Sequence, residues 1–413
     1  MEKRNLGKGK KYSGYKAYDY LKPGVDYKEF RFRDPTRKDW SYLVPLSKAE
    51  EERVEEIIEK NIIIDLHEHP VLCTENPSQP LELNREGRDF MAYEALSKTG
   101  LDCVFDNMMD GSANVTSKHG WKWTDTIHDL GQRLCDIAHQ DYVIHCKTVR
   151  DIHYAFETGR LAWVAAMESS TCIENEVDRI DVLFGLGIRQ MGLVYSESNQ
   201  LGTGLDEMRD GGLTDFGYDC VLRMNKVGML IDVSHVSDQT ARDTIESSKK
   251  PVIISHAGSQ TIHPIKRMVP DDVLQALAEI DGVIGIEAAP GYTATKDNPV
   301  PSIDTYMAHL EYCVELMGID HVGCGPDTLY GDHVGLYKLY DDRLTRDGVG
   351  HYPRPKQKED LEVRELPDYV KGLENPTEAV YNVIRWMVKN GYSDEEIAKI
   401  AGKNALRVLE KVW

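Results

Sequence analysis

The sequence predicts an α/β fold, a (β/α)8 TIM barrel preceded by an N-terminal arm, on three observations. Eight short apolar, β-branched runs alternate with helix-period patterns through most of the 413 residues. The runs are nearly continuous in apolar character rather than alternating, as expected of strands buried on both faces. No GxGxxG follows the first run, which weakens the main rival, a doubly wound dinucleotide-binding sheet.

The elements follow in order. Residues 1–45 form an arm rich in Lys, Arg and Tyr, broken by "KPG" and "RDPTR", and basic although the whole chain is acidic. The arm is expected to pack over its own domain's acidic surface, with a subunit interface as the alternative. Residues 46–413 form the barrel domain. Its first helix is "LSKAEEERVEEIIEKN", where Ser47 is placed to cap and Glu50, three residues on, completes a capping box. The strand candidates are 62–66, 101–107, 161–168, 188–195, 229–235, 251–256, 282–288 and 321–327. Amphipathic helices such as "SDQTARDTIESSKK" and "PDDVLQALAEIDG" lie between most of them. Residues 330–365 read as a long loop after the eighth strand, and loops of that length in a compact domain are often functional.

Composition bounds the partners. Hydrophobic residues make up 41% and charged residues 29%, and the formal net charge is −20. That balance fits a soluble protein and argues against nucleic acid or an anionic membrane as partner. No apolar run approaches the roughly 20 residues of a membrane span, and the basic start lacks a secretory signal's apolar core. A cytoplasmic protein is expected. Eight Cys without a CxxC pair point to neither a disulfide framework nor a thiolate zinc site.

The strand ends carry the chemistry. "NIIIDLHEHP" brings the first strand into His67, Glu68 and His69. The third run ends in Glu168, the fifth in His235, the sixth in His256 and the eighth in Asp327. In a β/α barrel these ends share one face, where active sites are built. His occupies 14 positions, so one at a strand end means little; four with two carboxylates at matching ends mean more. His67 and His69, two apart on an extended chain, point to one side, and Glu68 points away. Neutral imidazoles with carboxylates suit zinc or another divalent first-row metal. Six ligands are enough for two ions bridged by one carboxylate, a pair that holds a hydroxide and polarises a carbonyl. Hydrolysis of an amide or related carbon–nitrogen bond is the expected chemistry. Asp65, Asp232 and Ser234 read either as supports for the ligands or as ordinary polar residues. Asp332 and His333, in the long loop, are secondary candidates for lining the site. His119, His128, His139, His145 and His153 read as structural.

Two long blocks, "GGLTDFGYDCVLRMNKVGMLIDVSHVSDQTARDTIESSKKPVIISHAGS" with "RMVPDDVLQALAEIDGVIGI", and "NGYSDEEIAKIAGKNALRVLEKVW", carry a family resemblance. The chain resembles the renal (membrane) dipeptidases, zinc peptidase family M19, from about residue 55 to its end. The resemblance implies a (β/α)8 barrel with two bridged zinc ions, often a homodimer, that hydrolyses dipeptides, some with a D-residue on the C-terminal side. By position, it makes His67 a first-metal ligand, Glu168 the bridge, and His235 with His256 the second-metal pair. Asp327 takes the place of the catalytic acid near the first metal, suited to proton transfer to the leaving amine. Arg267 takes that of the arginine holding the substrate carboxylate.

Two positions depart from the family. His69 stands where the family's "HxD" has Asp, which removes one negative charge from the first metal's ligands. Tyr195, in "LVYSESNQ", stands at or near a family histidine that touches the substrate and its oxyanion; a phenol can donate there but carries no positive charge. The expected protein is therefore a dipeptidase-like hydrolase of a small carboxylate-bearing substrate. It would hold zinc, or manganese, through His67, His69, Glu168, His235, His256 and Asp327, with Asp327, Glu168 and Tyr195 catalytic and Arg267 and Tyr195 binding substrate. Hydrolysis of a non-peptide small amide, cyclic amide or carbamoyl compound is the alternative, and a non-catalytic metal- or ligand-binding barrel the further one.

Overall fold

Ser47 caps the first helix, Lys48–Lys60, and shares a reciprocal capping box with Glu50. The structure, a computed structural model, describes residues 10–36, 42–76, 79, 82–83, 86–108, 122–330 and 369–413. The long-loop expectation from 331 onward, with Asp332, His333 and also His119, lies outside the described residues.

The strands are β1 (Ile64–His69), β2 (Cys103–Met108), β3 (Leu161–Met167), β4 (Ile188–Gly192), β5 (Leu230–Asp232), β6 (Ile253–Ala257), β7 (Val283–Ile286) and β8 (Val322–Cys324). Each pairs in parallel with the next. After Gly325–Asp327 the eighth run resumes as Thr328–Leu329 and pairs with β1, Glu68 opposite Thr328. That pairing closes the ring, as a (β/α)8 barrel requires. One strand was not expected: Val143–His145 pairs in parallel with the first three residues of β3, Leu161–Trp163. Three residues carry too little periodicity to be read as a strand.

Alternation along the strands builds two cores. Ile64, Leu66, Cys103, Phe105, Ala162, Val164, Leu230, Ile253 and Val283 fill the inside and continue into the C-terminal helix through Val408, Leu409 and Val412. Trp163, Ala165, Met167, Ile231, Ile254 and Ile284 face the ring of helices. Among the helices, Asp238–Ser247 is capped by Ser237 and Asp271–Glu279 follows Pro270. Seven cysteines are buried; Cys135 is exposed. Among the described residues, no helix is long and apolar enough to cross a membrane.

The described part of the arm lies against the barrel. Lys10 Nζ meets Asp102 Oδ1 at 2.5 Å in a nearly buried ion pair. Asp136 accepts from Tyr15 Oη at 2.7 Å, the Tyr18 backbone N–H at 2.7 Å and Tyr93 Oη at 2.9 Å.

Candidate metal centre

The strand-end residues converge. At β1 the pairing register shifts between Asp65 and Glu68, and His67 and His69 emerge on one side with ring centroids 5.2 Å apart. Glu68 turns away and accepts from Thr328 Oγ1. Glu168 Oε1 lies 2.9 Å from His235 Nε2, 3.5 Å from His256 Nε2 and 3.8 Å from His67 Nε2. Asp327 Oδ1 lies 3.2 Å from His69 Nε2 and 3.5 Å from His67 Nε2. Every residue expected as a ligand is therefore in one cluster, and Glu168 stands between its two halves.

Backbone geometry re-aims two of these side chains. His235 and Asp327 lie beyond the ends of β5 and β8, and both adopt left-handed backbone, φ 63° and 56°. Such angles are uncommon outside glycine and cluster at functional sites. Close strand packing beside Asp327 explains the glycine in "GCGPD". A Cβ on Gly325 would stand 1.9 Å from the Ser255 carbonyl oxygen.

Among the described residues, three donor groupings can hold a metal ion: His67, His69 and Glu168; Glu168, His235 and His256; and His67, Asp232 and His256. The first two fit the expected pair of sites. The third does not, because Asp232 is already engaged. Its Oδ1 accepts from the Ser234 N–H, Ser234 Oγ and the Ser255 N–H at 2.8–3.0 Å, and its Oδ2 accepts from Gln190 Nε2 at 3.1 Å.

The donor set fits a divalent metal. Ligand atoms of a tetrahedral zinc site stand about 3.3 Å apart, given zinc–nitrogen bonds near 2.0–2.1 Å, and the separations here bracket that value. His235 Nε2 and His256 Nε2 face each other at 2.9 Å; their lone pairs repel unless a positive centre, a proton or a metal ion, lies between or beside them. His67 Nε2 is buried and makes no hydrogen bond among the described residues. Burial, then the neighbouring charges, holds the pKa of both His67 and His256 well below the usual histidine value. Both are thus neutral, the form that binds metal.

A hydroxyl network sets which nitrogen each ring offers. Ser255 Oγ lies 3.1 Å from His67 Nδ1, 2.8 Å from His256 Nδ1 and 3.2 Å from Ser234 Oγ. Ser234 Oγ donates to Asp232 Oδ1. One assignment satisfies every group: both Nδ1–H donate to Ser255, Ser255 donates to Ser234, and Ser234 to the carboxylate. It leaves both Nε2 lone pairs facing the cluster, which is how partners behind a metal-binding histidine fix its tautomer.

Tyr195 stacks on His235 with centroids 4.3 Å apart. Burial, then the Glu168 and Asp327 charges, raises its pKa well above the usual tyrosine value, so the phenol keeps its proton and can donate. Arg267 Nη2 donates to the His256 carbonyl at 3.0 Å and pairs with Glu287 Oε2 at 2.9 Å. Sequence reasoning missed Glu287, although it stands next to last in the seventh run, "GVIGIEA", and the strand-end logic applied to it equally. Burial raises the Glu287 pKa against the pull of Arg267.

Of the other histidines, His145 is half-buried beside the Gly187 carbonyl and His139 stacks on Tyr20, both away from the cluster.

Comparison with known proteins follows the same line. A profile of the membrane dipeptidase family, peptidase family M19, matches residues 51–339. Dipeptidase aclJ of Aspergillus oryzae is 29% identical over 298 residues, which cover 70% of this chain and 62% of that protein, under two thirds of its length. A solved amidohydrolase from Pseudomonas aeruginosa gives a TM-score of 0.68 at 25% identity, over 87% of this chain and 99% of its own. A metallopeptidase from Rhodobacter sphaeroides, solved with a phosphinate mimic of the dipeptide L-Ala-D-Ala, shares the fold. Its TM-score is 0.65 at 18% identity, over 86% of this chain and 100% of its own.

Proposed function

Since the chain belongs to the membrane dipeptidase family, peptidase family M19, we propose that it is a metal-dependent hydrolase of small, carboxylate-bearing, dipeptide-like amides. One observation carries the reading: Glu168 Oε1 stands within 3.8 Å of three imidazole Nε2 atoms that come from three different strand ends.

His67, His69 and Asp327 would hold one divalent ion, His235 and His256 the other, with Glu168 between them. When bound, such a pair, zinc foremost and manganese as the alternative, polarises a carbonyl and lowers the pKa of water. The chain's own groups do the rest. Asp327, at the open side of the cluster with its side chain 18% exposed, accepts a proton from the attacking water and delivers it to the leaving amine. Tyr195 donates a hydrogen bond to the oxygen that becomes negative as the carbonyl is attacked. Arg267 orients the substrate through its carboxylate. With this reading go a cytoplasmic location, a homodimer, and residues 1–45 as an arm on a 46–413 barrel.

A hydrolysis screen tests it. Zinc- or manganese-loaded protein is offered L,L and L,D dipeptides beside cyclic amides. Turnover of dipeptides, abolished by chelator and restored by metal, is expected; cyclic amides cleaved and dipeptides untouched would overturn the peptide reading.

A further inference from the structure

Arg267, the proposed carboxylate anchor, already faces an anion. Its Nη2 lies 2.9 Å from Glu287 Oε2, and the two residues are 8% and 3% exposed. Glu287 follows β7 directly. Val283 belongs to the inner core, and Ile284 and Ile286 to the outer one, so a two-residue period turns Glu287 inward. The Tyr292 ring covers the guanidinium, whose carbon is 5.9 Å from the ring centroid.

A substrate carboxylate brought to Arg267 would therefore compete with Glu287 for one guanidinium and leave the Glu287 carboxyl buried without its partner. Like charges held close in such surroundings repel strongly. A cation arriving on the same substrate restores the balance. It also gives Glu287 a partner when the incoming carboxylate competes for Arg267.

Resting on the hydrolase reading above, we propose that Glu287 determines specificity, selecting dipeptides whose C-terminal, leaving residue carries a cationic side chain. The substrate carboxylate takes Arg267, and the side-chain ammonium or guanidinium takes Glu287.

The test compares kcat/KM of the zinc-loaded full chain on Ala-Lys, Ala-norleucine and Ala-Glu. Lysine and norleucine differ by little more than the ammonium group, so their ratio isolates its charge. Ala-Lys is expected to exceed Ala-norleucine by about tenfold or more, carried mainly by KM, with Ala-Glu the poorest. In Glu287→Gln the ratio of Ala-Lys to Ala-norleucine should fall to within about twofold. Equal wild-type turnover of the two would overturn the proposal. So would a lysine preference that survives Glu287→Gln, which would trace instead to the chain's net charge of −20. Product inhibition of the wild type, free lysine against free norleucine, keeps the test independent of the variant's folding; lysine must inhibit more tightly. Failure to cleave any of the three dipeptides would strike the hydrolase reading itself, whereas cleavage without a lysine preference strikes only Glu287.

Discussion

His67 and His256 turn their Nδ1 atoms to one hydroxyl, Ser255 Oγ, at 3.1 and 2.8 Å, with ring centroids 3.6 Å apart. His67 lies in the first donor grouping and His256 in the second. A single serine therefore orients one ligand of each proposed metal site. Ser255→Ala should weaken zinc binding at both sites by roughly 10- to 100-fold, read in competition titrations against a chelating dye. Loss confined to one site, or no loss, would remove the shared role.

His69 Nε2 stands 3.2 Å from Asp327 Oδ1 and belongs to the first donor grouping. His69→Ala is expected to lower metal content and turnover together, towards a single equivalent of zinc. His69→Asp should retain metal, since it supplies a carboxylate where the alanine supplies nothing. Metal and turnover both unchanged in His69→Ala would show that the imidazole is not a ligand.

The Tyr195 phenol, stacked on His235, is assigned to the oxygen of the attacked carbonyl. Tyr195→Phe should cut kcat by about 100-fold while KM changes little, as loss of a donor used mainly in the transition state does. A rise in KM at constant kcat would place the phenol in ground-state binding instead.

Away from the metal cluster, His309 Nδ1 accepts the Ser259 N–H at 3.0 Å and its Nε2–H donates to the Ala294 carbonyl at 2.9 Å. Burial lowers its pKa to about 4. The unfolded chain thus binds a proton below about pH 6.5 that the folded chain takes up only near pH 4. Stability from this group is full above the unfolded value and falls as pH drops between the two. Glutamine can offer the same acceptor and donor without titrating. His309→Gln should therefore lose roughly 3 kcal/mol less than wild type between pH 7 and 4, measured by denaturant melts. Parallel pH profiles would contradict the assignment.

Much of this was legible in the sequence because two periodicities report it. The two-residue period placed His67 and His69 together and Glu68 apart, and near-continuous apolar runs marked strands buried on both faces. What was not legible depends on the backbone leaving its period. His235 and Asp327 are aimed by left-handed φ values just beyond their strands, which no spacing rule reports. The β1 register shift likewise turns His67 inward immediately after the inward Leu66. Glu287 was visible as a strand-end acid, but its importance lies in its 2.9 Å approach to Arg267, a contact between distant parts of the chain. Ser255 is an ordinary serine until folding sets it between two imidazoles.

The most direct measurement is the metal content of protein reconstituted with zinc and freed of excess, determined by elemental analysis beside Glu168→Gln prepared in the same way. Because Glu168 stands between both groups of imidazoles, close to two zinc ions per wild-type chain are expected, with markedly weaker retention at both sites in the variant. Fewer than one ion per wild-type chain, or two retained undiminished by Glu168→Gln, would contradict the bridged metal pair on which the functional reading stands.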